Sequence, residues 1–187
     1  MQQSDFEPIP QSVTQIGDPV ECFSMTGTPG MSSSSHWHQR GEILFMLRGC
    51  YRFIINGTCI VLSEGELLYI PPKQIHTAIC PDGETPDLIV LKLDPEIFAF
   101  SAPPEEQQIC LHSFADACAY RFCAQEVRAL EIPYFLQSIL KEINMRRAGY
   151  HYAIYGLSVT LFAHLYRILL RRNNVQTIHQ LSKKDLT

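Results

Sequence analysis

Hydrophobic and polar positions divide this chain into two regimes. From residue 19 to about 94, apolar residues come in short runs separated by turn formers. Pro19 to Met25 has strand character, and residues 26–35 form a Gly/Ser/Thr/Pro loop that closes on Ser32-Ser33-Ser34-Ser35. Glu42 to Leu47 is an apolar run after a carboxylate, as in a buried strand. Tyr51, Phe53 and Ile55 then occupy alternate positions, and Asn56-Gly57 signals a tight hairpin because both residues tolerate positive φ. Cys59 to Leu62 returns as the partner strand, Ser63-Glu64-Gly65 turns again, and Leu67 to Ile70 follows until Pro71-Pro72 ends it for want of ladder donors. His76 to Ile79 and Leu88 to Leu93, the latter interrupted by Lys92, complete a set of short strands that predicts an all-β barrel or sandwich.

Beyond Asp94 the period changes from two to that of a helix. Asp94 can cap a helix with Pro95 at its first position, residues 101–107 form a polar loop, and residues 108–130 read as short helical pieces. Pro133 suits a first helical turn, after which Leu136, Leu140 and Ile143 recur at helical spacing until Ala148-Gly149. A second helix is predicted from about Tyr150 to Arg172, with Asn173-Asn174 as its stop. It carries two apolar stripes, Ile154, Leu157, Leu161, Leu165 and Ile168 on one, and Tyr155, Val159, Phe162, Tyr166 and Leu169 on the other. Two stripes exceed what one packing face needs, so one is expected to serve a partner. The predicted organisation is an N-terminal arm (1–18), a barrel (19–100), a helical region (101–174) and a polar stub (175–187).

Composition narrows the function classes. A chain of 187 residues with 46% hydrophobic residues can bury a sizeable core in one domain. A net charge of −4 and a pI near 5.9 argue against a chain that itself grips DNA or an anionic membrane. The count of seven cysteines is odd and no C-x-x-C pair occurs, which reads as reduced thiols of a cytoplasmic protein. The N-terminus lacks a basic start and an apolar core of signal-peptide type, and no unbroken run of 18 apolar residues exists, so no membrane span is expected.

The candidate chemistry lies between His36 and His76. On a strand, residues two apart share a face, so His36 and His38 point the same way and Glu42 joins them if the strand runs on. His76 reaches them if the sheet curls round. Imidazoles with a carboxylate suit a divalent transition metal, with zinc, nickel, iron and manganese all acceptable. A metal-free, hydrogen-bonded polar cluster is the other reading of the same four residues. By alternation Leu44 and Met46 face inward, with Tyr51 and Phe53 from the next strand. They either line a small-molecule pocket or form plain barrel core. No catalytic residue is assigned: Asp116, His112 and Cys118 have no catalytic spacing, and neither a phosphate loop nor a nucleophile elbow occurs.

The run His36-x-His38, Glu42 and, after six intervening residues, Gly49 resembles the first motif of the cupin family. Gly65, Pro71 and His76 resemble its second, with Lys73 where the family has glycine and Cys80 where it has asparagine. This resemblance implies a jelly-roll barrel, the cupin double-stranded β-helix, followed here by an antiparallel helix pair. Barrel, Asp94-Pro95-Glu96-Ile97-Phe98 segment and helix pair together resemble the N-terminal half of an AraC-type transcription regulator, over roughly residues 19–172. That implies a small-molecule effector in the barrel and a homodimer through the C-terminal helices, Ile154 to Ile168. It further implies DNA contact only through a C-terminal helix-turn-helix domain outside these residues, and an N-terminal arm that folds over the pocket. A metal-dependent cupin enzyme, a dioxygenase or isomerase, is the alternative implied by the same motifs.

Overall fold

The computed structural model describes residues 5–6, 20–94 and 119–184. Among the described residues, ten strands form two five-stranded sheets. In chain order these are β1 (Asp5–Phe6), β2 (Val20–Thr26), β3 (His36–Trp37), β4 (Gly41–Arg48), β5 (Cys50–Ile55), β6 (Thr58–Ser63), β7 (Leu67–Ile70), β8 (His76–Ile79), β9 (Asp87–Leu93) and β10 (Tyr120–Phe122). One sheet has the order β1-β3-β8-β5-β6 and the other β10-β7-β4-β9-β2. All pairings are antiparallel except the parallel contact of β1 with β3. Helices α1 (Ala124–Ala129), α2 (Ile132–Met145) and α3 (Tyr150–Lys184) follow.

Turn chemistry closes the strands where the pattern placed them. Asn56 and Gly57 both have positive φ, 47° and 82°, as a primed hairpin turn requires. Gly49 and Gly65, the two motif glycines, sit in the left-handed region at 76° and 79°. Lys73 also lies there, at 64°, where a side chain costs about 1–2 kcal/mol. Replacing it by glycine removes that strain but enlarges the unfolded ensemble by about 0.5–1 kcal/mol. Lys73→Gly is therefore expected to raise the melting temperature by roughly 2–4 °C, read by calorimetry, and a lowered value would contradict the strain assigned to this turn.

The double layer produces two cores. Between the sheets, Leu44, Met46, Tyr51, Phe53, Ile55, Leu62, Leu68, Ile70, Leu88 and Val90 pack as one buried cluster, as alternation predicts. The opposite face of the second sheet carries Ile43, Phe45, Tyr69, Ile89 and Leu91, and these pack against Leu136 and Ile139 of α2 and Leu161 and Leu165 of α3. The sheet is thus largely apolar on both faces, which explains why β4 after Glu42 and β9 up to Lys92 read as apolar runs.

Four sequence expectations change. The barrel does not end near residue 100: β10 adds a strand from the presumed helical region, pairing Tyr120, Arg121 and Phe122 with Tyr69, Leu68 and Leu67. Three residues give too short an alternation to register as a strand. Helix α3 continues through Asn173-Asn174 to Lys184, because asparagine lowers helix propensity only modestly and no glycine or proline follows. The stripe assigned to dimerisation, Ile154, Leu157, Leu161, Leu165 and Ile168, packs into the chain's own core instead. Leu161 and Leu165 are fully buried there, Ile154 and Ile168 are 7% and 6% exposed, and Leu157 is half-buried. Finally, Tyr150–Arg172 has a mean hydropathy of 1.5, enough in length and composition to cross a bilayer. Of its most apolar 18-residue window 39% is buried, including the stripe that packs on the sheet. The 1–18 arm, apart from β1, and the Pro95–Phe98 segment, Cys110, His112, Asp116 and Cys118 lie outside the described residues.

Candidate metal centre

Two of the four site residues come from one sheet, one from the connection that follows it, and the fourth from the other sheet. His36 on β3 is the ladder partner of His76 on β8. His38 lies just past β3, in the bend that carries the chain to β4 in the opposite sheet. Glu42 therefore does not reach the site along one continuous strand, as strand periodicity alone suggested. It arrives from β4, where its ladder partners are Ile70 and Lys92. Ring nitrogens of His36, His38 and His76 lie within 4.8 Å of one another. Glu42 Oε2 lies 3.1 Å from His38 Nε2 and 3.2 Å from His76 Nε2. His38, Glu42 and His76 are buried and His36 is half-buried.

Backbone contacts orient all three rings. His36 Nδ1 lies 2.9 Å from Ser34 O, His38 Nδ1 2.7 Å from Arg40 O, and His76 Nδ1 2.8 Å from Gln74 O. A carbonyl oxygen only accepts, so each Nδ1 is the donor and each neutral ring turns an unprotonated Nε2 lone pair away from it. That is the tautomer a metal ligand needs, held by the outer partner that metal-binding histidines commonly use.

The interior of the cluster lacks a positive charge in its neutral state. Two Nε2 lone pairs and a carboxylate oxygen, all acceptors, face one another, with His76 Nε2 buried 3.2 Å from Glu42 Oε2. Either protons or a cation must mediate. Burial alone would push the Glu42 carboxyl up, but hydrogen bonds with His38 and His76, and the charges of His76 and Lys92, hold it far below the ordinary carboxylate range. Burial likewise opposes a charge on His76, yet the Glu42 hydrogen bond and charge and the Gln74 carbonyl raise its pKa above the ordinary 6.5. The site thus favours a cation between carboxylate and imidazole, and its donor set of nitrogen and oxygen fits a divalent transition metal.

The remaining sequence candidates are placed as follows. Leu44, Met46, Tyr51 and Phe53 all face the barrel interior and are 0–5% exposed within the same cluster. Trp37 lies between the two histidines and turns to the other side, where it lines a surface groove of about 260 Å³ with Gln39, Lys73 and Ile75. Cys80 takes over a turn-tying role where the motif has asparagine: its thiol reaches Glu84 O at 3.5 Å and its N–H donates to Met31 O at 2.9 Å. Sequence reasoning passed over Glu21, Arg40 and Lys92. All three are buried; Arg40 approaches Glu21 at 3.6 Å, and Lys92 is the ladder partner of both Glu21 and Glu42. The available signal was Lys92 itself, a charge inside an apolar strand, since a buried charge needs paired surroundings.

Comparison with known proteins agrees with this architecture. Residues 23–91 match the family model described as Cupin domain, so a cupin domain is present and the fold is the cupin double-stranded β-helix with C-terminal helices. A curated relative, an uncharacterised HTH-type transcriptional regulator YdeC of Bacillus subtilis, is 27% identical over 108 residues, which is 57% of this chain and 37% of the relative. The chain therefore spans little more than a third of that relative's length. Among solved structures, a Cupin 2 conserved barrel domain protein from Salinispora arenicola is 25% identical with a TM-score of 0.39, covering 47% of this chain and 71% of that one. The DMSP lyase DddQ from Ruegeria pomeroyi is 23% identical with a TM-score of 0.38, covering 41% and 39%. A predicted oxalate decarboxylase from Thermotoga maritima is 20% identical with a TM-score of 0.37, covering 38% and 64%.

Proposed function

We propose that this chain is the metal-binding, effector-sensing module of a transcription regulator of the AraC type. The observation that carries the metal is the set of three imidazoles, each with Nδ1 tied to a backbone carbonyl and each offering a ring nitrogen within 4.8 Å of the others, with Nε2 of His38 and of His76 beside Glu42. His36, His38 and His76 would hold the ion, with Glu42 as a further ligand or as partner to the rings. Bound there, zinc, nickel, iron or manganese would act as a Lewis acid toward an oxygen of a small molecule. The chain's own residues do the rest: the three carbonyls fix the tautomers, while Leu44, Met46, Tyr51 and Phe53 pack as buried barrel core.

The regulator part rests on the motif and helix arrangement together with the likeness to an HTH-type regulator. In this reading DNA is contacted only by a domain outside these residues, and ligand acts by shifting the population of helix arrangements. The homodimer uses the outward side of α3, where Tyr152 is 86% and Tyr155 39% exposed, rather than the buried stripe.

Two measurements test this reading. Trp37 is the single tryptophan and stands between two ligands, so loading with zinc or manganese is expected to change its fluorescence, saturating at one ion per chain. A chain that retains no ion from excess divalent metal would sink the metal site. The intact mass of the natural gene product tests the regulator: a chain extended by a basic helical domain is expected. A product ending at Thr187 would leave the cupin-enzyme reading in its place.

A further inference from the structure

Arg172 stands where the barrel and the long helix meet. Its Nη1 donates to Arg121 O of β10 at 3.1 Å, and its Nη2 pairs with Glu126 Oε2 of α1 at 2.6 Å. The guanidinium also lies over the ring of Phe122, 5.1 Å from the centroid. Glu126 Oε2 is itself engaged at the start of α1, accepting from Cys123 N at 2.9 Å. One planar cation thus joins a strand carbonyl, an aromatic face and a helix-capping carboxylate. This fork-like use of both nitrogens is one that lysine cannot reproduce.

What it holds is a marginal strand. β10 has three residues at the edge of its sheet, too few to be stable through pairing with β7 alone. Two contacts outside the ladder secure it. Phe122 is fully buried in the core under the helices, and Arg121 Nη1 crosses to Val61 O on β6 of the other sheet at 3.2 Å. β10 therefore bridges the seam between the sheets, and Arg172 fastens that bridge to α3. The strand is also close to the metal centre in the ladder. Tyr120 is paired with Tyr69 of β7, and Tyr69 packs so tightly on Gly41, next to Glu42, that a Cβ at Gly41 would come within 2.8 Å of its hydroxyl.

We propose that Arg172 is a latch that makes β10 and the C-terminal half of α3 one cooperative unit, so that the strand's pairing to β7 and the seating of the helix end open and close together. A conformational change at the sheet edge would then redirect α3 beyond Arg172, and a pull on α3 would loosen β10. The contacts are independent of the metal reading, and failure of one leaves the other standing.

Amide hydrogen exchange read by mass spectrometry on the full chain tests the latch, because exchange resolves local opening from global unfolding. Arg172→Gln is expected to raise exchange about tenfold both in residues 120–122 and in 167–184, with β4 and β9 unchanged. Arg172→Lys should give an intermediate increase in the same two segments. Glu126→Gln keeps the guanidinium and removes one arm, so it yields the same regional pattern at smaller size even if Arg172→Gln folds poorly. The proposal is overturned if the helix end loosens while 120–122 keeps its protection, if neither segment changes, or if exchange rises uniformly across β4 and β9.

Discussion

Removing the imidazole of His38 or of His76 is expected to weaken retention of a divalent metal by more than roughly 100-fold, the upper range for losing only an outer partner of a ligand. Each ring contributes a nitrogen whose partner carbonyl already fixes its tautomer, so the loss of one leaves two donors and a buried carboxylate that cannot close the same site. Acidification should act in the same direction as mutation. Metal must displace the proton that Glu42 draws onto His76, whose pKa is raised above 6.5. Affinity is therefore expected to climb with pH through that raised value and to level off above it. The metal-free chain shows the opposite sign for the His76 contribution: the imidazolium–carboxylate pair stabilises fully below the unfolded value near 6.5 and fades as pH rises through the folded one. The Glu42 contribution is present above the ordinary carboxylate range and is lost only in strong acid, since its folded pKa is depressed. Metal-free protein is thus expected to be least stable, relative to loaded protein, on the alkaline side. Calorimetry of both forms across pH 5.5–8.5, with competition titration of the two alanine variants, reads these effects. Wild-type affinity in His38→Ala would remove the metal from this site.

The parts legible in the sequence are those that local chemistry decides. Gly49, Gly65 and Asn56-Gly57 name turns because only certain backbones fit positive φ, and all four sit at positive φ in the structure. Alternation placed Leu44, Met46, Tyr51 and Phe53 on one interior face, and motif spacing gathered His36, His38, Glu42 and His76. What local chemistry does not decide is how far a pattern continues in three dimensions. Glu42 lies four residues after His38, but the chain changes sheets between them, so their meeting depends on closure of the barrel rather than on strand period. β10 is invisible for a related reason: Tyr120 to Phe122 becomes a strand only because β7 offers an edge and Arg172 a donor. The buried group of Glu21, Arg40 and Lys92 is dispersed over three segments and converges only through the ladder.

Helix α3 is where burial overturns the reading of periodicity, and the consequence is measurable. Leu161→Ala is expected to destabilise the chain by about 2–5 kcal/mol, since truncating a fully enclosed leucine forfeits transfer energy and leaves a cavity. For a domain of this size that lowers the melting temperature by roughly 5–20 °C. Leu161→Asp goes further, because it places a carboxylate in a buried cluster of apolar side chains. Loss of folded protein, not a well-folded monomer, is the expected product. Tyr152→Glu combined with Tyr155→Glu makes the contrasting pair. Tyr152 is almost wholly exposed and Tyr155 more than a third, so the change is expected to leave the melting temperature within about 1–2 °C. Burial divides the second stripe as well: Phe162 and Leu169 lie in the core with the first stripe, and Tyr155 is its exposed member. If light scattering finds a dimer for the parent and a monomer for the double tyrosine variant, the partner-facing surface is the outward one. If the tyrosine variant remains dimeric while Leu161→Asp gives a folded monomer, the buried stripe is an interface after all and α3 must detach from the sheet to form it.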